Sequence, residues 1–289
     1  MSNPEEKFSI LKSFKSQNIS QAKSAGNQYV DEYFPPEFES LFEITEGVDN
    51  SVKVPKFAKD KTRKMLTQQD NNKRLNKYSW GKLNDILKVT RLNIFRENKN
   101  ISDDVVPGKL GDNYFLSTLL ALAQDKYNIK NVISQEGRAS DPAYEAKVFI
   151  HGEPVSLVLD NYFPVINARK LAFAGINENS GNLWPIILEK AWAKCNKTYE
   201  NIVKGNSSDA LQFLTPAPID TLYHDEENLE DLITKIKTAL SKKYLILADI
   251  DTEQSENIEK LFNIGLITNN GYLILDIKTV KNQQVMMLH

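Results

Sequence analysis

Two apolar periods alternate along the chain. In LWPIILEKAWAKCNKTYENI, Trp184, Ile187, Leu188, Ala191, Trp192, Cys195, Tyr199 and Ile202 recur three or four residues apart, which predicts a helix with a wide apolar face. The same spacing in NLEDLITKIKTAL puts Leu229, Leu232, Ile233, Ile236 and Leu240 on one side of a second helix. KLGDNYFLSTLLALA reads as a Gly-Asp turn opening a third, strongly apolar helix near Asn113. Period-two or β-branched runs predict strands: VFI and VSLVLD form a hairpin about His151-Gly152, and YLILADID, NIGLIT, GYLILDIKTV and VMML follow later.

The order of these elements divides the chain. Residues 1–28 are polar, with Phe8, Leu11 and Phe14 at helical spacing, and read as an N-terminal extension carrying a short docking helix. Residues 29–207 hold the proline-marked segment YVDEYFPPEFESLFEI, a Lys-, Asn- and Gln-rich surface stretch, and then a helix-dominated lobe with one hairpin. Residues 208–289 read as a β-rich second lobe, incomplete at its C-terminal end.

Composition narrows the classes of function. The 289 residues are 41% hydrophobic and 26% charged, which suffices for one large core or two medium ones. A net charge of -2 excludes a global field drawing the chain to nucleic acid. No apolar run approaches the roughly 20 residues of a membrane span, and MSNPEEKFSI lacks a signal h-region, so a cytoplasmic location is expected. Cys195 is the single cysteine and His151, His224 and His289 are the histidines, which removes disulfides and makes a zinc site improbable. Cys195 lies within an apolar helix face, the setting of a small buried hydrophobe rather than a reactive thiol.

A helix start is where backbone N–H groups and the macrodipole would activate an anionic nucleophile, yet Asn113 stands there. The surrounding segments resemble a calpain-type cysteine protease core of the papain-like α+β, two-lobe fold. KLGDNYFLSTLLALA matches the family's Gly-Asp-Cys-Trp turn and helix, with Asn113 at the nucleophile and Tyr114 at the tryptophan. LWPIILEKAWAK is similar to its Phe-Trp-x-x-Leu-Leu-Glu-Lys-Ala-Tyr-Ala-Lys helix, and VLDNYFPV, YFPPEFESL and SWGKLNDI resemble three further segments in the same order.

The resemblance implies a thiolate, an imidazole, an orienting Asn and an oxyanion-hole Gln. Here Asn113 replaces the cysteine, Pro107 stands at the Gln, and GLITNNGYLIL places Asn270 at the histidine. A carboxamide neither ionises near neutral pH nor relays a proton, and proline lacks both a side-chain donor and an N–H. The reading is therefore a non-enzyme: a pseudoenzyme of the family that kept the fold for another purpose. The resemblance also implies calcium, for which only Asp104 and Glu178 are candidate ligands; as solvated loop carboxylates they would need no metal, and no other cofactor is expected.

KFAKDKTRKMLTQQDNNKRLNK gathers Lys56, Lys59, Lys61, Arg63, Lys64, Lys73, Arg74 and Lys77 against Asp60 and Asp70, a patch suited to an acidic protein surface. Inactive calpain-like proteins are common in protists and associate with the cytoskeleton. The resemblance thus implies a structural subunit of a large complex on a cilium, flagellum or other microtubule assembly, with tubulin or axonemal proteins as partners. Two alternatives stay open: a regulatory pseudoprotease that binds peptide in the interlobe cleft, and an active calcium-dependent peptidase with altered chemistry.

Overall fold

The apolar run from Trp184 becomes a helix, Trp184–Cys195, whose every side chain from Trp184 to Ala191 is buried. A computed structural model describes residues 12–26, 29–42, 44–46, 53–55, 78–87, 92–133, 137–167, 170–224, 226, 228–250, 258–267, 270–281 and 283–289. The helices that matter below are α1 (Ile19–Ser24), α2 (Asn113–Leu122), α3 (Lys126–Val132), α4 (Trp184–Cys195), α5 (Ser207–Leu214), α6 (Leu229–Ser241) and α7 (Ile258–Asn263). The strands are β1 (Ile44–Glu46), β2 (Lys53–Pro55), β3 (Tyr78–Lys82), β4 (Ala143–Ile150), β5 (Glu153–Asp160), β6 (Tyr162–Ile166), β7 (Lys170–Leu171), β8 (Leu247–Ile250), β9 (Asn270–Val280) and β10 (Gln283–Leu288).

The expected hairpin forms: β4 pairs antiparallel with β5 from Ala143↔Asp160 to Ile150↔Glu153, and its inward residues Tyr144, Ala146, Val148, Val155, Leu157 and Leu159 enter the main core. Phe115, Leu119 and Leu122 of α2 and Trp184, Ile187 and Leu188 of α4 complete that core. A second cluster joins Phe34 and Leu41 to Ile166, Phe173 and Tyr199, with Trp80 edge-on to Phe34 at 6.2 Å. It is held by the sheet β3-β6-β7, in which Trp80 lies opposite Pro164.

Buried charge fixes α4 in place. The Lys194 Nζ donates to Asp31 Oδ2 at 2.6 Å, Gln17 Oε1 at 2.8 Å and the Val158 carbonyl at 2.7 Å. One turn earlier, Lys190 pairs with Asp160 and donates to the Tyr162 carbonyl at 2.6 Å. Asp160 in turn accepts the Asp31 N–H at 2.9 Å, so the two ion pairs form one network.

After α5 the chain builds a three-stranded antiparallel sheet in the order β10-β9-β8, with Ile236 of α6 packed on Ile274 and Ile277. The core is therefore α+β. Among the described residues, no helix is long and apolar enough to cross a membrane.

Several expectations are corrected. Phe14 is 5% exposed and lies in the main core, edge-on to Tyr33 and under Lys194, so this part of the expected extension is covered by its own chain. Tyr199 and Ile202 lie beyond the end of α4, in a separate turn. NIGLIT is not a strand over residues 263–267: it ends α7 and continues as a turn. Leu229 of α6 is 68% exposed, leaving Ile236 as that helix's buried residue. Phe8 and Leu11 lie outside the described residues.

Candidate functional site

Asn113 is the first residue of α2 and is partly exposed, while Tyr114 through Leu119 behind it are buried. Its neighbour Asp112 occupies the N-cap position, where a carboxylate commonly accepts from the next N–H groups. Here the Asp112 side chain makes no cap bond; it is buried beside the fully buried Glu189 of α4, with which it interacts, and its Oδ2 meets no hydrogen-bond donor among the described residues. Glu189 also accepts the Ala174 N–H at 3.0 Å. Burial pushes Asp112 up to about 7 and holds Glu189 well above the usual carboxylate range, with Asp112 raising it further.

Two carboxyls in one dry site share a proton near neutral pH. The folded chain then binds protons that the unfolded chain releases at ordinary carboxylate pKa values, so this contribution is full at low pH and is lost as pH rises through about 7. The thermal midpoint should fall between pH 5 and 8. Glu189→Gln keeps the Ala174 bond and gives Asp112 a permanent donor, so it should flatten most of that fall; an unchanged slope would assign the dependence elsewhere.

Across the seam between the lobes, β9 begins at Asn270, and the Gly271 carbonyl accepts the Ser117 hydroxyl at 2.5 Å, one turn into the helix that Asn113 opens. A methyl group at Gly271 would lie 2.9 Å from Ser207 Oγ, 3.0 Å from Asp249 Oδ1 and 3.2 Å from Ser117 Cβ, so the close approach of strand to helix needs glycine. Asp249 of β8 completes the seam by accepting the Ser207 N–H at 2.7 Å and hydroxyl at 2.5 Å at the start of α5. These bonds bring α2, which Asn113 opens, and β9, which Asn270 opens, into contact.

Pro107 is exposed on the loop before α2, where Val106 bridges to Gly175 and the Gly108 backbone crosses Phe173 too closely for any side chain. Tyr114 is buried, and its hydroxyl accepts the Trp192 indole N–H at 2.9 Å. His151 and His224 are exposed in turns, and His289 exchanges backbone bonds with Leu273. Cys195 packs against the main core, and burial pushes its thiol up to about 12, the state of an inert hydrophobe.

Asp104 is no solvated loop carboxylate. It is fully buried, and both oxygens accept N–H groups: Oδ1 from Asn98 at 2.9 Å, Oδ2 from Asn182 at 2.8 Å and from the Trp184 indole at 2.9 Å. The residue facing it is Asn182, whereas Glu178 is exposed in the turn before it. Calcium takes six to eight oxygens, and these N–H donors do not fit it. Among the described residues no group of three or more His, Cys, Asp or Glu side chains is gathered for a metal. Lys56, Lys59, Lys61, Arg63, Lys64, Lys73, Arg74 and Lys77 lie outside the described residues.

Sequence reasoning missed Asn182, Ser117, Ser207, Asp249 and the pairing of Asp112 with Glu189. A polar residue inside an apolar helix, as at Ser117 and Glu189, was the available signal, but it names no partner.

An α+β core with a buried helix opening at the seam of two lobes is the frame of a cysteine-protease-type domain. The calpain family cysteine protease model matches residues 29–289, and the chain belongs to that family. It is 31% identical over 196 residues to Calpain-5 of Caenorhabditis elegans, covering 62% of this chain and 29% of that protein. It is 25% identical over 180 residues to Calpain-9 of Mus musculus, covering 61% and 26%. To the calpain-type cysteine protease ADL1 of Oryza sativa subsp. japonica it is 30% identical over 191 residues, covering 65% and 8%. The chain therefore spans less than a third of the length of these relatives.

Proposed function

We propose that this chain is a catalytically inactive calpain-family protein serving as a structural subunit of a larger, cytoskeletal protein assembly. The observation that carries the reading is the chemistry of the residues where α2 meets β9: Asn113 opens α2 where a nucleophile would be activated, Asn270 opens the strand whose Gly271 bonds Ser117 of α2, and Pro107 lies on the loop before α2. Neither carboxamide can serve as nucleophile or general base, and Pro107 has no N–H, on side chain or backbone, to offer an oxyanion.

The basic stretch from Lys56 to Lys77 is the proposed contact with an acidic surface such as that of tubulin or an axonemal protein. Gentle fractionation should co-sediment the chain with an insoluble assembly. Salt should release it, and so should charge reversal at Lys61, Arg63 and Lys64. A monomer with unchanged fractionation after that reversal would end the structural reading.

A second reading, peptide binding by a regulatory pseudoprotease, is favoured by an open groove of about 3030 Å³ beside the seam, lined among others by Tyr114, Pro218, Tyr244, Asn270 and Met286. A saturable peptide ligand displaced by substitution at Tyr244 would favour it over the first.

A further inference from the structure

The contacts of Asp104 say more than that calcium does not fit. Asp104 ends a short 3-10 turn, Ile101–Asp104, that leads straight into the Pro107 loop and the start of α2. Its partners Asn182 and Trp184 stand at the beginning of α4. One carboxylate therefore ties the loop that enters the interlobe site to the helix that carries Glu189, Lys190 and Lys194.

The orientation of the Asn182 amide is not arbitrary. Its Oδ1 accepts the Arg96 backbone N–H at 2.7 Å, and its Nδ2 donates both to the Arg96 carbonyl at 2.8 Å and to Asp104. A flipped amide would set oxygen against the Arg96 carbonyl and nitrogen against its N–H, so the hydrogen-bearing nitrogen must face Asp104. The Trp184 indole nitrogen is a donor only. Both N–H groups at Oδ2 are thus unambiguous, and they occupy the directions from which a cation would approach.

The same strip is stitched by backbone bonds. Asn93 N–H donates to the Gly181 carbonyl at 3.0 Å, Leu183 N–H to Asn93 at 2.9 Å and Trp184 N–H to Ile94 at 3.0 Å. Asn177 Nδ2 donates to the Asp103 carbonyl at 2.8 Å. In this knot Asn98 Oδ1 is a buried acceptor with no hydrogen-bond donor among the described residues.

We infer that Asn182 and Trp184 take the place of a bound cation: two N–H donors satisfy the buried Asp104 carboxylate by hydrogen bonding, so the loop before α2 is held in place without calcium. Charge balance is what makes the substitution specific. An amide at position 182 supplies a hydrogen to Asp104, whereas a carboxylate there would oppose it and need a divalent ion between the two. The clasp is a property of this chain's own residues, and it stands whether or not the interlobe site is active.

The test compares thermal midpoints of the purified chain and two variants in millimolar calcium chloride and in chelator, with equilibrium dialysis of calcium alongside. The unmodified chain should melt at the same temperature in both and retain no calcium at the clasp. Asn182→Asp should lower the midpoint in chelator by roughly 5–10 °C and recover most of it in calcium, because the new carboxylate pair now needs the ion. Asn182→Ala, which removes the donor without adding charge, should lose a similar amount and show no response to calcium. The inference is overturned if the unmodified chain is stabilised by calcium and the gain is reversed by chelator. It is equally overturned if Asn182→Asp is destabilised and calcium does not restore it, or if Asn182→Ala melts as the unmodified chain does. Should Asn182→Asp fail to fold, the unmodified chain and Asn182→Ala still decide.

Discussion

Lys190→Ala is expected to lower folding stability by about 3–5 kcal/mol, because it strands the Asp160 carboxylate inside the protein. Both side chains of this pair are fully buried. The ammonium also donates to the Asp160 and Tyr162 carbonyls, at 3.0 Å and 2.6 Å, and lies 5.1 Å from the Phe163 ring centre. Removing it leaves the buried Asp160 charge without a counter-ion, held among the described residues only by the Tyr162 and Asp31 N–H groups at 2.9 Å each, in a domain whose whole stability is on the order of 5–15 kcal/mol. Denaturant midpoints would measure the loss. Lys190→Met with Asp160→Asn removes the charge from both partners, and the pair should cost clearly less than the sum of the single changes. A loss below about 1 kcal/mol for Lys190→Ala would mean that water reaches the pair in solution.

These ion pairs mark the boundary of what could be read from the chain. Apolar spacing placed α4, α6, the β4–β5 hairpin and β9, because a helix face or a pleated strand repeats its burial locally. It could not show that Lys190 and Lys194 lie inside, since their partners Asp160 and Asp31 are 30 and 163 residues away in sequence. Charge on a helix normally reads as a solvated face, and only tertiary packing reverses that reading. NIGLIT failed for another reason: a short apolar run fits a strand or the end of a helix equally well, and α7 claims its first residue.

At the candidate site the same division holds. The Gly-Asp turn and the apolar run after it placed Asn113 at a helix start. The resemblance placed Asn270 across from it, and the Ser117–Gly271 bond brings their elements together. Glu178 reads as a ligand in sequence because it is the carboxylate of the loop before α4, and nothing in the sequence marks Asn182. The fold shows that hydrogen-bond donors, not a second acid, surround Asp104. Asp112 looked like part of a turn, and nothing in its neighbourhood named Glu189 as its proton-sharing partner.

Asn113→Cys should not create a peptidase, and the size of the shortfall is the sharpest test of the proposed inactivity. A thiol at the first residue of α2 would gain from the helix N-terminus. It would also sit next to Asp112, and any negative charge on the Asp112–Glu189 pair opposes a thiolate. Asn270 offers no base to take the proton, and Pro107 offers no donor to a developing oxyanion. In a catalytic set that acts as a unit, loss of one essential member already costs about 10⁶-fold in turnover, and the others add little once it is gone. Restoring one of three should therefore leave hydrolysis of a fluorogenic peptide at the blank, with and without calcium, for both the unmodified chain and Asn113→Cys. Thiol-directed probes should label Asn113→Cys slowly, at the rate of an ordinary exposed cysteine and with an ordinary pH profile near 8.5. Asn113→Cys combined with Asn270→His should depress that apparent pKa, because an imidazole across the seam could then hold the ion pair. Robust cleavage by the unmodified chain would overturn the pseudoenzyme reading. A double variant whose probe profile matches that of Asn113→Cys alone would show that residues 113 and 270 do not face each other closely enough to exchange a proton.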